Sequence, residues 1–489
     1  MADTTFISGT TITSNWLNDA NSLVYHGKDI SGINIINVKD PIYGAVGDGV
    51  TDDTSSIQAA INSAAGRKIY VPAGIYRITS NLTYSTSGEK PGLNLIGDGI
   101  GKTILDTQTT GSLLTLDGTS TPSTFAIGAV IDGLTILTTT NPSSAVGITL
   151  KGQWFGTLSR IKVIGLSSDG IKIINNNSDA DSSGYIEFNK VWLHQNGGWG
   201  INVPDPTISY NASGHILFKN VFTYGNTNGG IRFLGALAEV DKCSFAGNQG
   251  PGFQLPYSST AGVSNTIIIK NSEFDGNTNY HIDIQHCVSA TIQQNKFVYA
   301  SSYTGIRIGD GGSGSVQDIK CLNNFHRRDS GTITLHSIGS NAQRTDIMDN
   351  YVPSVTGVTQ INDSGIFTRY RVSGATSKNS STTTTSTTNT SYTPNVLTAT
   401  YHRIVINSIG AFTINTPIGG VNDGQELELD IYNDSGGSIT VTFSTGSVGS
   451  FYSSSGYTDP ANGKRKTARF RYHAVDGRWI QIGAWTPDM

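Results

Sequence analysis

Five carboxylates stand out as groups able to perform acid–base chemistry. Glu273 and Asp275 are two residues apart in a strand-like segment, Glu239 and Asp241 repeat this spacing earlier in the chain, and Asp283 follows shortly after. Alternate side chains of a strand share one face, so each pair projects to one side with its α-carbons roughly 6.6 Å apart. Glycosidic cleavage needs two carboxyl groups, one as acid and one as base or nucleophile. This α-carbon separation is compatible with either retention or inversion.

Each of these carboxylates also has a purely structural interpretation. Glu273 and Asp275 can be solvated surface groups, and Asp283 can bridge Arg307. The earlier pair has three lysines as possible ion-pair partners: Lys219, Lys242 and Lys270.

Aromatic and basic side chains occur beside the carboxylates in the same part of the chain. Aromatic rings stack on the apolar faces of pyranoses, while arginine binds hydroxyls and acidic substituents. The candidates for substrate binding are Trp192, His194, Trp199, Phe222, Tyr224, Arg232, Tyr280, His281 and Arg307. The rings of Trp192 and Phe222 can alternatively be buried between subunits. His281, with Tyr280 and Lys270, can instead abstract a proton from a uronic acid in a lyase reaction.

The candidate residues lie in a repeat that extends from about residue 130 to 350. A four-residue apolar strand, often preceded by glycine, recurs in this region. Its first apolar residue is Ile201 in one copy, Ile231 in the next, 30 residues later, and Phe253 in the one after that, another 22 residues later. Self-similarity at this period predicts a solenoid, and strand-length apolar pieces make it a β-solenoid. Four asparagines precede this strand by four residues and are predicted to bond between rungs: Asn196, Asn226, Asn248 and Asn277.

Alternation assigns each strand position to the inside or the outside. Ile267, Ile269 and Phe274 are predicted to point inward, which turns Glu273 and Asp275 outward. Stacking the copies of the strand that follows the glycine places one outward position of each copy in a column. No member of this column is apolar, so it is expected to face water: Lys172, Asn202, Arg232, Gln254, Asp283, Arg307 and Thr334.

A glycine- and aspartate-rich motif precedes the repeat. It reads Tyr43-Gly-Ala-Val-Gly-Asp-Gly-Val-Thr-Asp-Asp-Thr54 and leads into a helical pattern that continues to about Gly66. This stretch resembles the N-terminal signature of the pectate-lyase-like superfamily of β-helices, found in many phage tailspikes and capsule depolymerases. The resemblance implies that the helix covers the open end of the solenoid. Asp48, Asp52 and Asp53 are interpreted as turn and cap residues.

A second resemblance concerns the opening residues. The segment from Phe6 to Tyr25 is similar to short virion-attachment segments of tailspikes. The resemblance implies a homotrimer that joins a phage tail or baseplate protein through its N-terminus, acts at the outer surface of a host bacterium and binds a surface polysaccharide. No catalytic residue carries over from it, because families with this fold place their acids on different rungs.

The remaining segments complete the predicted architecture, which is all-β: a right-handed parallel β-helix with a short N-terminal capping helix and a C-terminal antiparallel β-sandwich. Residues 376 to 390 are nearly all Ser, Thr and Asn, which indicates a linker. The predicted units are an attachment segment 1–36, a β-helix start 37–129, a β-helix 130–375, a Ser/Thr-rich linker 376–391 and a sandwich 392–489 for trimerisation or receptor contact.

Composition narrows the possible functions. Charged residues make up 14% of the 489, 58 residues are glycine, and the net charge of -4 offers no broad attraction to nucleic acid or to anionic membranes. The three cysteines lack the spacing of a metal site. No apolar run approaches 18 residues and no basic-plus-apolar leader is visible, so we expect a soluble chain without an export signal. Neither a cofactor nor a metal is expected.

These observations favour one function and leave three others open. The favoured hypothesis is an endo-acting polysaccharide depolymerase that hydrolyses its substrate with Glu273 and Asp275. The alternatives are a lyase acting on a uronic-acid-containing glycan, an adhesin that grips a glycan without cutting it, and a purely structural tail component.

Overall fold

A computed structural model describes residues 35–489 apart from several short stretches. These stretches are 87–89, 119–124, 175–182, 205–212, 258–265, 301–302, 310–314, 331, 352–357, 364–368, 372–383, 387–389, 395, 397–400, 419–424, 446–448, 453–456 and 474. The predicted attachment segment 1–36 lies outside the described residues except for its last two. Most of the predicted linker 376–391 also lies outside them.

The single described helix, Thr54–Asn62, covers one end of the solenoid, as the resemblance implied. It buries Ile57, Ala60 and Ile61. The side-chain amide of Gln58 donates to the carbonyl of Thr83 and accepts from its N–H, at 2.9 and 2.8 Å. Thr83 belongs to the terminal strand of a sheet, so the helix side chain occupies backbone groups that the sheet leaves open.

The aspartates of the N-terminal motif accept hydrogen bonds from backbone N–H groups, as the sequence predicts. Asp52 Oδ1 accepts the N–H of Thr54 at the helix start. The buried carboxylate of Asp53 accepts the N–H groups of Val46 and Gly47 at 2.6 and 3.0 Å. Asp48 accepts the N–H groups of Val50 and Thr51 in a turn. Asp53 occupies the N-cap position, but its side chain makes no cap hydrogen bond to the helix.

The chain from residue 35 to 371 forms a parallel β-solenoid of about 11 turns. Each turn contributes strands to three faces. The first face contains Ile35–Asn37, Lys68–Val71, Asn94–Gly97, Ser213–Lys219, Gly235–Asp241, Thr266–Lys270, Ala290–Gln293, Val316–Leu322, Ala342–Met348 and Arg369–Arg371. The second face contains Asp48–Asp52, Gly74–Ile78, Thr103–Thr107, Phe222–Tyr224, Ser244–Ala246, Glu273–Asp275, Lys296–Tyr299 and Phe325–Arg328. Three long strands bend from the first face into the second: Val130–Leu137, Thr157–Ile164 and Ile186–His194.

The third face is a separate parallel sheet, and a short three-stranded sheet lies beside the solenoid. The third-face strands are Leu82–Ser85, Ser112–Asp117, Val146–Lys151, Ile171–Ile174, Trp199–Asn202, Gly229–Arg232, Phe253–Leu255, Tyr280–Ile284, Thr304–Ile308, Ile333–Ile338 and Val358–Asp363. The short sheet contains Lys90–Pro91, Ala126–Ile127 and Gln153–Trp154.

The corner between the first and second faces repeatedly uses a left-handed residue that is not glycine. Lys190, Asn220, Lys242 and Asn271 occupy this corner on successive turns with φ between 51 and 57°. The corner between the second and third faces uses Gln195 and then glycine, including Gly276 at φ 59°. Positive φ values are uncommon for residues other than glycine. We infer that the stacking of the strands on both sides of the corner holds these residues in this conformation.

Inward-pointing residues form one continuous apolar core along the solenoid. Ile267, Ile269 and Phe274 are fully buried, which confirms the alternation predicted from the sequence. The buried ring of Phe274 stacks on Phe245 and Phe297 of the neighbouring rungs, at centroid distances of 4.6 and 5.2 Å. This regular inward packing fixes which side chains of each strand reach the outer surface.

A ladder of buried asparagines runs along the corner between the second and third faces. The Nδ2 groups of Asn196, Asn226 and Asn248 each donate to Oδ1 of the next asparagine, ending at Asn277, over 2.7 to 2.9 Å. The structural role predicted for them is confirmed. A second ladder, which the sequence analysis did not find, occupies the other corner: Asn295, Asn324 and Asn350.

The C-terminal unit consists of two sheets around its own core. One sheet contains Thr384–Ser386, Tyr401–Ile406, Glu426–Asn433, Arg465–His473 and Arg478–Ile482, and the other contains Ser391–Tyr392, Gly410–Ile414 and Ile439–Phe443. The prediction of purely antiparallel strands needs correction. Among the described residues of this unit, the last three strands of the larger sheet pair antiparallel and the other strand pairings are parallel. Within the described residues no helix is long and apolar enough to cross a membrane.

Candidate functional site

The outer surface of the second face carries two continuous columns of side chains. The first column runs in register through Lys162, Trp192, Phe222, Ser244, Glu273 and Lys296. The second runs through Ile164, His194, Tyr224, Ala246 and Asp275 and ends at Val298, which is buried. Consecutive rungs of a sheet are about 4.8 Å apart. The sequence-predicted aromatic residues and the leading carboxylate pair therefore share one face.

Aromatic side chains form one half of this surface. Trp192 and Tyr224 are exposed and Phe222 is half-buried between them. The rings of Phe222 and Tyr224 are nearly parallel, with centroids 6.2 Å apart, and Trp192 meets Phe222 edge-on at 6.4 Å. A side chain at Gly247 would contact the Tyr224 ring, since a Cβ there would lie 3.2 Å from it. The small corner residue thus leaves room for the ring to lie along the surface.

Small side chains separate the aromatic rings from the carboxylates. Ser244 and Ala246 occupy the rung between Phe222 and Tyr224 on one side and the acidic pair on the other. The aromatic wall and the two carboxylates are therefore separated by one rung of short side chains. A pyranose ring needs this combination of an apolar contact and nearby polar groups.

The side chains of Glu273 and Asp275 both point outward and are half-buried. Glu273 accepts a hydrogen bond from the ammonium group of Lys296 on the next rung, at 2.6 Å. The corner beside Asp275 is open, because a Cβ built on Gly276 would meet no atom within 4 Å. The Glu273 side chain is 42% exposed and so is partly accessible from outside.

The surroundings of Asp275 favour the protonated form of its carboxyl group. Burial raises its pKa above the usual value, and the negative charges of Glu273 and Asp329 raise it further. Lys296 and Arg327 oppose this increase. The sequence analysis missed Lys296 and Asp329 as parts of the site. Lys296 begins the third strand after that of Glu273 and pairs with it in register, a signal that alignment of the rungs could have supplied.

His194 lies at the aromatic end of the site, in register with Tyr224. Burial lowers the pKa of its imidazole below the usual 6.5, and the neighbouring charge of Lys162 lowers it further. A half-buried neutral imidazole beside a phenol and an ammonium group can accept a proton at neutral pH.

Glu239 and Asp241 lie on the first face, away from the columns of the second. Glu239 pairs with Lys270 at 2.7 Å, and Asp241 accepts a hydrogen bond from Asn271 at 2.8 Å. The ion pair with Lys270 is one of the structural alternatives that the sequence left open. The geometry does not bring these two carboxylates together with Glu273 and Asp275 on one face.

Asp283 is not available for catalysis, which corrects the sequence-based assignment. Its carboxylate is sealed from solvent and takes two hydrogen bonds from the Arg307 guanidinium, at 2.7 and 2.8 Å. Gln254 and Gln285 donate to it as well, at 2.9 and 2.8 Å. Arg307 also lies 4.1 Å above the ring of Tyr280 and donates to its hydroxyl. This cluster is internally satisfied and stabilises the third face.

The column that includes Asp283 points outward as expected, but Asp283 itself does not face water. Its members with described side chains are half-buried, apart from Asp283, which is buried. Trp199 and Arg232 belong to this third face. The Trp199 ring lies against Gly229 of the next rung, since a Cβ built on Gly229 would be 2.3 Å from the ring. These two candidates lie on a different face from Glu273 and Asp275.

His281 points into the core and cannot contact a substrate, which overturns both roles considered for it. It is fully buried, with its ring 4.8 Å from that of Tyr299 and its Nδ1 3.3 Å from the side-chain amide of Asn277. Burial lowers its pKa to about 3. The position belongs to the glycines that begin the third-face strands, and a Cβ at Gly252 would meet the core ring of Phe274 at 2.9 Å. A side chain there must therefore enter the core.

Metal coordination has no candidate among the residues that the structure describes, since no three His, Cys, Asp or Glu side chains come together there. The three cysteines are buried and unbridged, and burial raises the pKa of each thiol to about 12.

The fold and the surface define a parallel β-solenoid with a carboxylate pair on one outer face. A family model described as rhamnogalacturonase A/epimerase, pectate lyase-like, matches residues 35–326, which is more than half of the chain. The chain belongs to this pectate lyase-like family. The resemblance found in the N-terminal motif is thereby confirmed.

Curated relatives match parts of the chain. Mannuronan C5-epimerase AlgE2 of Azotobacter vinelandii is 43% identical over 74 residues, which is 14% of this chain and 7% of that protein. Alginate lyase 7 of the same organism is 36% identical over 108 residues, 20% of this chain and 12% of that protein. Depolymerase 1, capsule K30/K69-specific, of Klebsiella phage K5-2 is 24% identical over 343 residues, 64% of this chain and 40% of that protein. The chain spans less than half the length of each.

Solved structures with a similar chain path include an epimerase module and a tailspike. The A-module of Azotobacter vinelandii mannuronan C-5 epimerase AlgE6 is 18% identical, with 70% of this chain and 99% of that chain covered and a TM-score of 0.47. The Dettilon tailspike protein gp208 is 12% identical, with 93% and 81% covered and a TM-score of 0.46. Both similarities concern the fold alone.

Proposed function

We propose that this protein is a phage tailspike that binds and hydrolyses a bacterial capsular or O-antigen polysaccharide, with Glu273 and Asp275 as the carboxyl pair. The observation that carries the proposal is their position on the second face. They are half-buried on its outer surface, and one rung of small residues separates them from the aromatic wall. A glycan chain stacked on Tyr224 would present its next linkage to both carboxyl groups.

The two carboxyl groups would take different roles in the hydrolysis. Asp275, whose raised pKa favours the protonated form, would donate its proton to the glycosidic oxygen as the C–O bond breaks. Glu273 would either deprotonate the attacking water or attack the anomeric carbon itself, forming a glycosyl ester. In the second case the Asp275 carboxylate would then deprotonate the water that hydrolyses the ester. The side-chain torsions decide between these two routes.

The relatives support a polysaccharide as the substrate. The one matched over most of this chain is named a capsule-specific phage depolymerase, and those matched over shorter segments are named for mannuronan and alginate. From the resemblance of the opening residues to tailspike attachment segments and the order of the segments, we assign residues 1–36 to virion attachment and residues 392–489 to trimerisation or receptor contact. The protein would act as a homotrimer on the virion, at the outer surface of the host bacterium.

The test is product analysis on a panel of purified bacterial capsular polysaccharides and O-antigens, with alginate included. The proposal predicts new reducing ends without unsaturated sugars from at least one glycan. The absence of new ends from every glycan in the panel, with the protein folded and trimeric, would contradict a depolymerase. Binding without cleavage would support a non-catalytic adhesin instead.

A lyase is the second candidate, and the geometry of His194 favours it. The neutral imidazole could take the proton from C5 of a uronic acid, with Lys162 offsetting the charge of the sugar carboxylate. Tyr224, in register with His194, could give a proton to the departing oxygen as the C4–O bond breaks and a C4–C5 double bond forms. A lyase would release products with unsaturated ends that absorb ultraviolet light. If the His194→Gln variant releases none of these products and the Glu273→Gln variant still releases them, the reaction is elimination and not hydrolysis.

A further inference from the structure

A second exposed aromatic pair lies on the same outward column, beyond the carboxylates. Phe325 pairs in register with Lys296, and Tyr351 pairs with Phe325. Their rings are parallel within 3°, with centroids 4.9 Å apart. Phe325 is 42% exposed and Tyr351 41% exposed. Two large rings on successive rungs of an open surface leave apolar area for a ligand to cover.

The position of this pair mirrors that of the first aromatic wall. Trp192 is three rungs before Glu273, and Tyr351 is three rungs after it. Trp192 and Tyr224 are 47% and 46% exposed, close to the values of the second pair. At about 4.8 Å per rung, the two ends of the column are roughly 29 Å apart with the carboxylates at the centre.

We propose that Phe325 and Tyr351 form a second glycan subsite, so that one polysaccharide chain lies along the second face and is held on both sides of Glu273 and Asp275. The inference rests on the proposed function and deepens it. A chain held at both ends presents an internal linkage to the carboxylates, which makes the cleavage internal rather than terminal. The ligand of the subsite is a neutral or acidic pyranose, because Lys296 and Arg327 lie next to the rings and offer hydrogen-bond donors to hydroxyls and carboxylates.

Continuity with the carboxylate column favours a glycan over a second copy of the chain as the occupant. Apart from the buried Val298, the residues between the two aromatic groups are small or charged, and Glu273, Lys296 and Arg327 carry charged groups along the path. Subunit contacts are depleted in charged residues at their centre, whereas a glycan uses charged and polar groups between its stacking contacts.

The experiment measures glycan binding separately from cleavage. The parent is the full-length Glu273→Gln/Asp275→Asn variant, and the probes are the purified capsular polysaccharides and alginate of the panel above. Adding Phe325→Ala and Tyr351→Ala should weaken binding of the long polymer by roughly tenfold, the scale of losing two aromatic contacts. Binding of a disaccharide from the same polymer should change by less than about twofold, since it cannot span both subsites.

The chain supplies a matched control for the loss of exposed aromatic stacking. Phe155 and Tyr185 are also exposed, lie on adjacent rungs and stack at 5.0 Å, but they are outside the second-face columns. Phe155→Ala/Tyr185→Ala in the same parent should bind the polymer as the parent does. Phe325→Tyr/Tyr351→Phe, which keeps both rings, should restore binding if the alanine variant is poorly folded.

The outcomes separate this inference from the proposed function. Unchanged polymer binding in a folded Phe325→Ala/Tyr351→Ala variant would overturn the subsite, and a simultaneous loss of trimer in sedimentation would assign the rings to a subunit contact. A third outcome is that polymer binding depends on both rings but the protein with intact carboxylates releases no new ends. This outcome would uphold the subsite and overturn the proposed hydrolysis. The absence of binding to every glycan would overturn both.

Discussion

Tyr224 and Asp275 stand two rungs apart in one outward column, with Ala246 between them. The separation is roughly 10 Å, which leaves space for one sugar ring between an aromatic ring and a carboxyl group. Neither residue is part of the core, so this relationship depends only on the register of the solenoid. Register is therefore the link between this fold and the chemistry proposed for it.

Replacing either carboxyl group should abolish most of the cleavage. Glu273→Gln and Asp275→Asn should each reduce the rate of release of new ends by about 10² to 10⁴-fold, the range of a lost acid or base. Asp318→Asn is the matched control, because Asp318 is an exposed carboxylate in an ion pair with Arg344 on the first face. Full activity in both site variants would show that the chemistry occurs elsewhere.

The pH dependence should follow the protonation of Asp275. Hydrolysis requires its acid form, so the rate should fall as pH rises through the raised pKa of this group. Removing a negative neighbour in Asp329→Asn should move this limb of the pH–rate profile to lower pH. Removing a positive neighbour in Arg327→Gln should move it to higher pH. Both shifts should shrink at high salt, because exposed charges are screened.

A lyase that uses His194 would give the opposite profile. Its imidazole must be neutral, so the rate would fall as pH drops through a pKa below 6.5. A profile with this sign, insensitive to Asp329→Asn, would contradict the assignment of Asp275 as the acid.

The buried ion pair on the third face should matter for stability. Arg307→Ala leaves the carboxylate of Asp283 buried without its main partner, which should cost about 3 to 5 kcal/mol in the free energy of unfolding. Arg344→Ala, which removes an exposed ion pair with Asp318, should cost less than about 1 kcal/mol. Urea unfolding of both variants measures the difference. Equal effects would mean that burial of Asp283 has been overestimated.

The buried histidine should make the solenoid sensitive to acid. His281 has a pKa of about 3 in the folded protein and the ordinary value near 6.5 when unfolded. The unfolded chain therefore binds a proton below pH 6.5 that the folded chain refuses, and stability should fall as pH drops from 6.5 towards 3. His281 alone would contribute about 3 kcal/mol of this loss by pH 4.

His281→Gln separates this contribution from that of the carboxylates. The variant should be less stable at pH 7, because a well-packed ring is lost, yet its urea midpoint should decline less between pH 6.5 and 4 than that of the parent. Parallel declines in the two proteins would show that His281 does not resist protonation.

Local alternation was enough to predict the solenoid and the outward direction of Glu273 and Asp275. Ile267 and Ile269 alternate with Ile268 and Lys270, and stacking of similar rungs forces the two core residues inward. The same reasoning failed for Asp283. Its direction was right, but its burial depends on Arg307 and two glutamines brought over it by its own and neighbouring rungs.

Other features were missed because they depend on non-local packing. His281 occupies a position that is glycine in most other copies, and only the proximity of the core behind that glycine shows where its side chain must go. The parallel pairing of Tyr401–Ile406 with Glu426–Asn433 could not be predicted either, since alternating strands satisfy parallel and antiparallel sheets equally well.

The most direct test of the account is a crystal structure of the Glu273→Gln/Asp275→Asn variant with a capsular oligosaccharide that the parent protein cleaves. The account predicts a glycan chain along the second face, with one ring on Tyr224 and the next linkage within hydrogen-bond distance of residue 275. A glycan bound on the third face or on the C-terminal unit, with the second face empty, would contradict it.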